Sequence, residues 1–348
     1  MTLNPVQRAQ FDVSDMLRRA QGDVFGALGL GPNECPYRII TSRAHWRLRD
    51  YGGKDQSRSL LIIAAPIKRP YIWDLVPSIS AILFCLHQGL HVQLLEWMPA
   101  SPSACNSGLD ECVLAISEAV ATITAAQGAK PYVIGHSLGG TLAAIYGAFL
   151  SESIKGVVLL GAPLCFEPTQ SRFRDALVAL GPLEISDADP LPGSLLSHAS
   201  ALASPRTFIW SRLMDAAMSI TDPHAMVVHA RVERWALDEV PLPGKLVHQI
   251  IDWLYRENRF CRGSLKIGEK CIGPYSLSAP TLAVVNIADE VAPLASLKPF
   301  TDAMAKNVRI IEYPGELGVC LQHLGILVGR QAQSHVWPEI ISWLRSQN

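Results

Sequence analysis

The sequence predicts an α/β fold, with a mostly parallel central sheet, helices on both faces of that sheet and a mainly helical insertion. Short apolar segments with the length of buried strands alternate with longer segments of helical periodicity, an order that is typical of a parallel sheet covered by helices. The alternation stops between residues 166 and 275, where prolines, tryptophans and helical stretches follow one another, and then resumes. One sheet interrupted by a helical insertion explains the whole pattern.

The segments before the interruption supply most of the predicted sheet. Residues 46–51 alternate between apolar and polar side chains, as a half-buried strand does. Residues 59–65 form a continuous apolar run, which suits a strand buried on both faces. Residues 110–127 repeat apolar side chains at helical spacing. The other predicted elements here are strands at 91–97, 131–135 and 155–161 and a helix at 138–150.

After the interruption, two more strands and two helices complete the prediction, at 281–287, 292–305, 307–313 and 336–344. The expected organisation is an N-terminal arm (1–36), a first core segment (37–165), a cap insertion (166–275) and a second core segment (276–348). The arm combines an amphipathic helix with a glycine-rich stretch, which favours loose attachment. The alternative is a helix that binds a membrane surface or a protein partner through the basic face of Arg18 and Arg19.

Composition excludes several classes of protein. Hydrophobic residues make up 49% of the 348 residues and charged residues 18%, so disorder is excluded for most of the chain. Thirty basic against thirty-one acidic residues argue against nucleic acid as a partner. No run approaches the ~18 apolar residues of a transmembrane segment, and the first residues do not form a secretory signal. Eight cysteines without a CxxC pair are expected to be reduced thiols of a cytoplasmic protein.

One motif carries chemistry. Residues 135–139 read GHSLG between a predicted strand and a predicted helix, which is the arrangement of a nucleophile elbow. Gly135 and Gly139 leave room for a strained turn, and Gly140 lets the helix pack closely. The turn exposes Ser137 at the helix N-terminus, where the helix dipole favours developing negative charge. The sequence therefore predicts Ser137 as a nucleophile.

A serine hydroxyl is a weak nucleophile and needs a base, which in turn needs an orienting acid. With this motif the acid and then the histidine follow the serine along the chain. Asp289 is the best candidate acid because it directly follows a predicted strand, with Glu290 and then Asp238 as alternatives. His323 is the candidate base because it lies in the loop after the last strand, whereas its rival His335 lies where a helix forms.

An oxyanion hole requires backbone N–H groups directed at the developing negative charge. Leu138 supplies one, because it follows the nucleophile directly. The second is expected from the loop after strand 59–65, where Pro66 has no N–H and Ile67 is the first available donor.

Several segments of this chain resemble the poly(3-hydroxyalkanoate) synthase family, most closely its short two-component type. The resemblance is colinear from about residue 37 to residue 344. It rests on KRPY at 68–71, QLLEW at 93–97, RWALD at 234–238, LPG at 242–244 and HLGI at 323–326. It implies an α/β-hydrolase fold with a cap over the nucleophile, and it implies the same acid, Asp289, and base, His323.

The chain departs from that family at two places. The synthases carry a nucleophilic cysteine where this chain has Ser137, and the loop at 314–323 is longer here. A serine ester is more stable than a thioester, and Ser–His pairs at such an elbow usually release the acyl group to water. Hydrolysis of an ester or thioester of an apolar or 3-hydroxy acyl group is therefore the preferred function.

Two other functions stay open. The first is a synthase-like acyltransferase that uses 3-hydroxyacyl-CoA. The second is a non-catalytic protein that binds a synthase-type partner or a polymer granule. We expect no metal and no cofactor, with CoA entering only as part of a substrate, and the expected partner of an enzyme is a small or oligomeric acyl substrate.

Overall fold

The structure, a computed structural model, describes residues 5–101, 106–180, 186–187, 189–305, 308–316 and 318–347. The strands are β1 (Arg38–Ser42), β2 (Trp46–Gly52), β3 (Asp55–Ile63), β4 (Leu90–Trp97), β5 (Tyr132–His136), β6 (Gly156–Leu160), β7 (Pro190–Leu191), β8 (Leu242–Pro243), β9 (Leu265–Ile267), β10 (Lys270–Ile272), β11 (Thr281–Asn286) and β12 (Arg309–Tyr313). The α-helices are α1 (Pro5–Phe25), α2 (Ala81–His87), α3 (Leu109–Gln127), α4 (Leu138–Phe149), α5 (Arg172–Ala179), α6 (Gly193–Ala203), α7 (Ser211–Ser219), α8 (Pro223–Ala236), α9 (Gly244–Gln249), α10 (Lys298–Asp302), α11 (Gly325–Val328) and α12 (Trp337–Ser346).

Eight strands form one sheet in the order β1-β2-β4-β3-β5-β6-β11-β12. β1 and β2 are antiparallel to their neighbours, and all other pairs are parallel. The prediction of a mostly parallel sheet is confirmed. The carboxyl ends of parallel neighbours meet at one edge of a sheet, which is where this class of fold binds ligands. The loops after β3, β5, β11 and β12 carry the residues singled out above.

Every residue of β4, β5, β6 and β11 is buried. Because successive side chains of a strand point to opposite faces, both faces of the central sheet are covered. The nearly continuous apolar runs of β5, β6 and β11 result from that double burial, whereas β4 also buries the polar side chains of His91, Gln93 and Glu96. The core is therefore rigid at the place where the site loops leave it.

Two predicted elements differ from the structure. The helix predicted at 292–305 is reduced to a 3₁₀ turn, Leu294–Ser296, and to α10. Pro293 and Pro299 lack the N–H groups that a continuous helix would need. The strand predicted from residue 307 begins at Arg309, and Asn307 lies outside the described residues. The antiparallel edge strand β1 was not predicted.

Between β6 and β11 the chain forms helices α5 to α9 and two short strand pairs, β7 with β8 and β9 with β10. The N-terminal helix α1 packs against α6 and α8 in this segment. Polar contacts help to hold it there: the Arg18 guanidinium donates to the Ala236 carbonyl at 2.9 Å, and Asp15 accepts from the Ser194 N–H at 2.9 Å. The partner- or membrane-binding role of the arm stays a prediction, as do the domain boundaries.

The cysteines correct one prediction. Cys165 and Cys261 form a disulfide with their Cα atoms 5.1 Å apart, so the expectation of reduced thiols is wrong for this pair. The two residues are 96 positions apart, and their sequence spacing gives no sign that the fold brings them together. Five other cysteines are free, and Cys105 lies outside the described residues. Within the described ranges, no helix has the length and apolar character needed to cross a membrane.

Candidate active site

Ser137 lies on a sharp turn between β5 and α4. Its φ of 54° is in the left-handed region that non-glycine residues rarely adopt, and its N–H donates to the Leu160 carbonyl of β6 at 3.0 Å. A Cβ atom at Gly135 would lie 2.4 Å from the Gly139 backbone, and one at Gly139 would lie 2.3 Å from the Ile63 carbonyl oxygen. The two glycines are thus required by close approach of the backbone, and the turn leaves Ser137 half-buried.

His323 and Asp289 form a buried pair. The Nδ1 atom of His323 lies 2.6 Å from Oδ2 of Asp289, and the residues are 7% and 3% exposed. The other carboxylate oxygen accepts from the N–H groups of Val291 at 2.8 Å and Ala292 at 3.2 Å. Burial alone would raise the pKa of Asp289, but the charge of His323 and these hydrogen bonds lower it below its usual value. The carboxylate is therefore held in its charged form.

The other candidate acids and the other candidate base have different surroundings. Glu290 accepts a hydrogen bond from the hydroxyl of Thr207 at 2.6 Å, and Asp238 accepts one from the hydroxyl of Tyr71 at 2.6 Å. His335 is exposed. Among the alternatives considered, the structure brings together only the acid and base preferred from the sequence.

His136 connects the elbow to this pair. The imidazole rings of His136 and His323 have centroids 4.7 Å apart, and Nε2 of His136 lies 2.7 Å from the backbone carbonyl oxygen of His323. With Nδ1 of His323 directed at Asp289, the basic nitrogen is Nε2. That atom is buried and has no hydrogen-bond partner in the described part of the chain. It is the atom that can exchange a proton with a nucleophile or leaving group.

The two predicted oxyanion donors lie on adjoining segments. Leu138 is the first residue of α4, so its N–H has no acceptor within the helix. The tight contact of Gly139 with Ile63 and the two alanines after it brings the end of β3 against the first turn of α4. Ile67 follows within four residues, and its carbonyl accepts from the N–H of Val240 at 3.4 Å. The loop of Ile67 is thereby anchored to the helical segment.

The loop that carries His323 is also anchored to the helical segment. Cys320 donates from Sγ to Glu233 of α8 at 3.1 Å, and the Gly318 N–H donates to Asp215 of α7 at 3.1 Å. Sequence reasoning missed these carboxylates, because nothing in their spacing indicates that α7 and α8 contact the loop at 314–323.

Within the described residues, one group of side chains has the geometry of a metal site: His229, Glu233 and Cys320. However, Arg212 donates to both oxygens of the Glu233 carboxylate. Burial, followed by the charge of Glu233, raises the pKa of the Cys320 thiol well above its ordinary value, whereas a metal would need the thiolate. The cluster is better described as an ion pair that holds the loop.

Comparison with protein families gives one match that covers most of the chain. Residues 99–315 match the family described as alpha/beta hydrolase fold. Two solved structures share the fold. Paleococcus ferrophilus monoacylglycerol lipase is 17% identical with a TM-score of 0.53, covering 88% of this chain and 100% of that one. A soluble variant of Saccharomyces cerevisiae monoglyceride lipase is 9% identical with a TM-score of 0.55, covering 91% and 96%.

The chain is also homologous to proteins named poly(3-hydroxyalkanoate) polymerase subunit PhaC. It is 25% identical over 332 residues to that of Haloferax mediterranei, covering 92% of this chain and 65% of that protein. It is 24% identical over 365 residues to that of Thiocystis violacea, covering 99% of both. The chain therefore spans just under two thirds of the first relative and almost all of the second. These relatives and the fold support an enzyme of the hydrolase or synthase-like acyltransferase type.

Proposed function

Because this chain belongs to the alpha/beta hydrolase fold family, we propose that it is an acyl-transfer enzyme with Ser137 as nucleophile, His323 as base and Asp289 as orienting acid. The preferred reaction is hydrolysis of an ester or thioester of an apolar or 3-hydroxy acyl group. The observation that carries the proposal is the buried His323–Asp289 pair. It leaves Nε2 of His323 without a hydrogen-bond partner among the described residues, and the His323 ring centroid lies 4.7 Å from that of His136, which directly precedes the strained serine turn.

The reaction proceeds in two halves. In the first, Oγ of Ser137 attacks the acyl carbonyl carbon while Nε2 of His323 takes the hydroxyl proton. The N–H groups of Leu138 and Ile67 stabilise the oxyanion. The bond to the leaving oxygen or sulfur then breaks, and His323 protonates the leaving group. In the second half, His323 takes a proton from water while the water oxygen attacks the acyl carbon. The bond between that carbon and Oγ of Ser137 then breaks, Oγ takes the proton back from His323, and the acid leaves.

Asp289 stabilises the imidazolium that forms in each half of the reaction, without taking the proton itself. The lowered pKa of Asp289 supports this role, because the carboxylate stays charged throughout the neutral range. The mechanism uses no cofactor and no metal.

The substrate class follows from the named relatives. Proteins called poly(3-hydroxyalkanoate) polymerase subunits are homologous over most of this chain, which favours 3-hydroxyacyl groups. We propose CoA as the leaving group of such a substrate. We infer a cytoplasmic location because acyl-CoA is found there. An oligomeric acyl chain is the second substrate that this relationship favours.

The second candidate function is synthase-like acyl transfer, favoured by the 24% identity that extends over whole chains. In that reaction the hydroxyl of a second 3-hydroxyacyl unit replaces water as the acceptor. Hydrolysis remains preferred because the nucleophile is a serine. A polymer granule or synthase-type partner would contact exposed apolar side chains of α1 and α7. These include Met16, Leu17, Leu213 and Met214.

A fluorophosphonate probe tests the proposal, because it labels only an activated serine. We expect labelling of the wild type and none of Ser137→Ala, with Ser211→Ala as a matched control that labels normally. Absence of labelling in the wild type would overturn the proposal. Incubation with 3-hydroxybutyryl-CoA then separates the two reactions: free hydroxy acid indicates hydrolysis, whereas linked units indicate transfer.

A further inference from the structure

We propose that His136 is a positioning residue that holds the His323 loop against the nucleophile elbow through a hydrogen bond from its imidazole to the His323 carbonyl. This inference rests on the proposed function, since it assigns a role within the same site. His136 occupies a variable position of the GxSxG motif, where the pattern itself demands no particular side chain.

Two contacts and one shared neighbour place His136 beside the candidate base and acid. Its Nε2 atom lies 2.7 Å from the His323 carbonyl oxygen, and its ring centroid lies 4.7 Å from that of His323. A Cβ atom at Gly161 would be 3.7 Å from Nε2 of His136 and 3.6 Å from Oδ2 of Asp289. The imidazole of His136 and the carboxylate of Asp289 thus flank the same glycine, beside the imidazole of His323.

The direction of the hydrogen bond follows from the acceptor. A backbone carbonyl oxygen can only accept, so Nε2 of His136 carries the proton and donates it. The titratable groups that face His136 are His323 and Asp289. Burial, followed by the charge of His323, lowers the pKa of His136 to about 3. The ring is therefore a neutral donor across the pH range in which the enzyme would work.

The hydrogen bond couples the two halves of the site. Ser137 directly follows His136, the last residue of β5, while His323 lies on a single 3₁₀ turn, Gln322–Leu324, in the segment after β12. Asn286 at the end of β11 holds the loop by donating to the Gln322 carbonyl at 2.7 Å, but β6 separates β11 from β5, so this contact does not reach the turn after β5. The His136 side chain spans that gap, so it sets the approach of Nε2 of His323 to Oγ of Ser137. Near-attack geometry of this kind is sensitive to shifts of an ångström.

Two substitutions separate the hydrogen bond from the volume of the side chain. His136→Leu fills the space without a donor, whereas His136→Gln keeps an N–H at similar reach. We expect His136→Leu to label with fluorophosphonate about 10-fold more slowly than the wild type. With p-nitrophenyl butyrate as substrate, kcat falls to the same extent and KM stays unchanged. His136→Gln should recover most of the loss. Labelling of His136→Leu at the wild-type rate would overturn the proposal.

A measurement independent of activity uses ¹⁵N-labelled histidine and nuclear magnetic resonance. We expect His136 to be a neutral imidazole with its proton on Nε2 throughout the neutral range, and the opposite tautomer would contradict the proposal. If the probe does not label the wild type, the proposed function fails. The tautomer of His136 seen by nuclear magnetic resonance still shows whether the hydrogen bond to the His323 carbonyl exists. If His136→Leu does not fold, His136→Asn replaces it, because its amide is too short to reach the carbonyl.

Discussion

Glu233 on α8 accepts a hydrogen bond from Sγ of Cys320 at 3.1 Å, three residues before the candidate base His323. Cys320 has a φ of 65°, a strained conformation for a residue with a side chain. The hydrogen bond to Glu233 helps to offset the free-energy cost of this backbone conformation. The helical segment therefore helps to hold the loop in a shape that the loop alone would not favour.

Replacement of Cys320 should loosen this loop. We expect Cys320→Ala to lower kcat several-fold and the free energy of unfolding by about 1 kcal/mol, because the hydrogen bond that is lost has a charged acceptor but only a weak thiol donor. Cys320→Ser keeps a donor and is the matched control, with near wild-type values. Ester hydrolysis and urea unfolding measure both quantities. An alanine variant as active as the serine variant would show that the contact does not position the loop.

Acid should destabilise the protein through His136. In the unfolded chain this histidine has its ordinary pKa of 6.5, and in the folded protein the pKa is lowered to about 3. Its contribution to stability is complete above pH 6.5 and is lost as the pH falls toward about 3, because the unfolded state binds the proton first. The slope approaches about 1.4 kcal/mol per pH unit.

Urea unfolding at several pH values in this range tests that dependence. His136→Gln is the control, since glutamine does not titrate, and the difference between the two proteins isolates the histidine. Parallel curves for wild type and variant would mean that His136 is protonated in the folded protein as easily as in the unfolded one.

The fold class could be predicted because the buried strands read as apolar runs separated by helical periodicity. The nucleophile elbow could also be predicted, because close backbone contacts require its glycines. The pairing of Asp289 with His323 followed from chain order and strand ends. The anchoring of the loops could not be predicted, because it depends on how α7 and α8 pack against segments about a hundred residues away or more.

The Cys165–Cys261 disulfide should stabilise the insertion at its two ends. Closing a loop of nearly a hundred residues restricts the unfolded chain, and disulfides typically contribute about 2–4 kcal/mol. We expect Cys165→Ser to lower the free energy of unfolding by this amount, and reducing agent to have the same effect on the wild type but none on the variant. Cys271→Ser, which removes an exposed free thiol, is the control.

Peptide mapping without reductant checks the linkage directly. The peptides that contain Cys165 and Cys261 should be recovered joined. If protein alkylated during cell lysis yields them separately, the bond forms only after the protein leaves its reducing surroundings, and the variant should then match the wild type in the presence of reductant.

Glu239 should be required for the loop that carries Ile67. Its carboxylate is 3% exposed and lies 3.1 Å from Nζ of Lys68 and 2.8 Å from Nε of Arg18. Burial lowers the pKa of Lys68 to about 8, but the lysine is still mostly charged at neutral pH and needs this partner. We expect Glu239→Gln to cost about 3 kcal/mol of stability, since it leaves two cations without a carboxylate.

Arg18→Ala is the matched comparison, because it removes the contact of α1 while keeping the Lys68–Glu239 pair. It should cost about 1 kcal/mol or less, given that the Arg18 side chain is partly exposed. Ester hydrolysis should fall in Glu239→Gln and stay near normal in Arg18→Ala. Equal losses of ester hydrolysis in both variants would instead mean that the N-terminal helix α1 holds the loop of Ile67 in place.

Ser137→Cys should shift the reaction from hydrolysis toward acyl transfer. An acyl-cysteine thioester is more reactive toward a second hydroxyl than an acyl-serine ester, so hydroxyacyl acceptors compete better with water for the acyl group. With 3-hydroxybutyryl-CoA, we expect total CoA release to fall while the ratio of linked products to free acid rises several-fold. Chromatography of the products, with Ser137→Ala as the inactive control, measures that ratio. An unchanged ratio would mean that the shape of the acceptor site, and not the nucleophile, determines which molecule receives the acyl group.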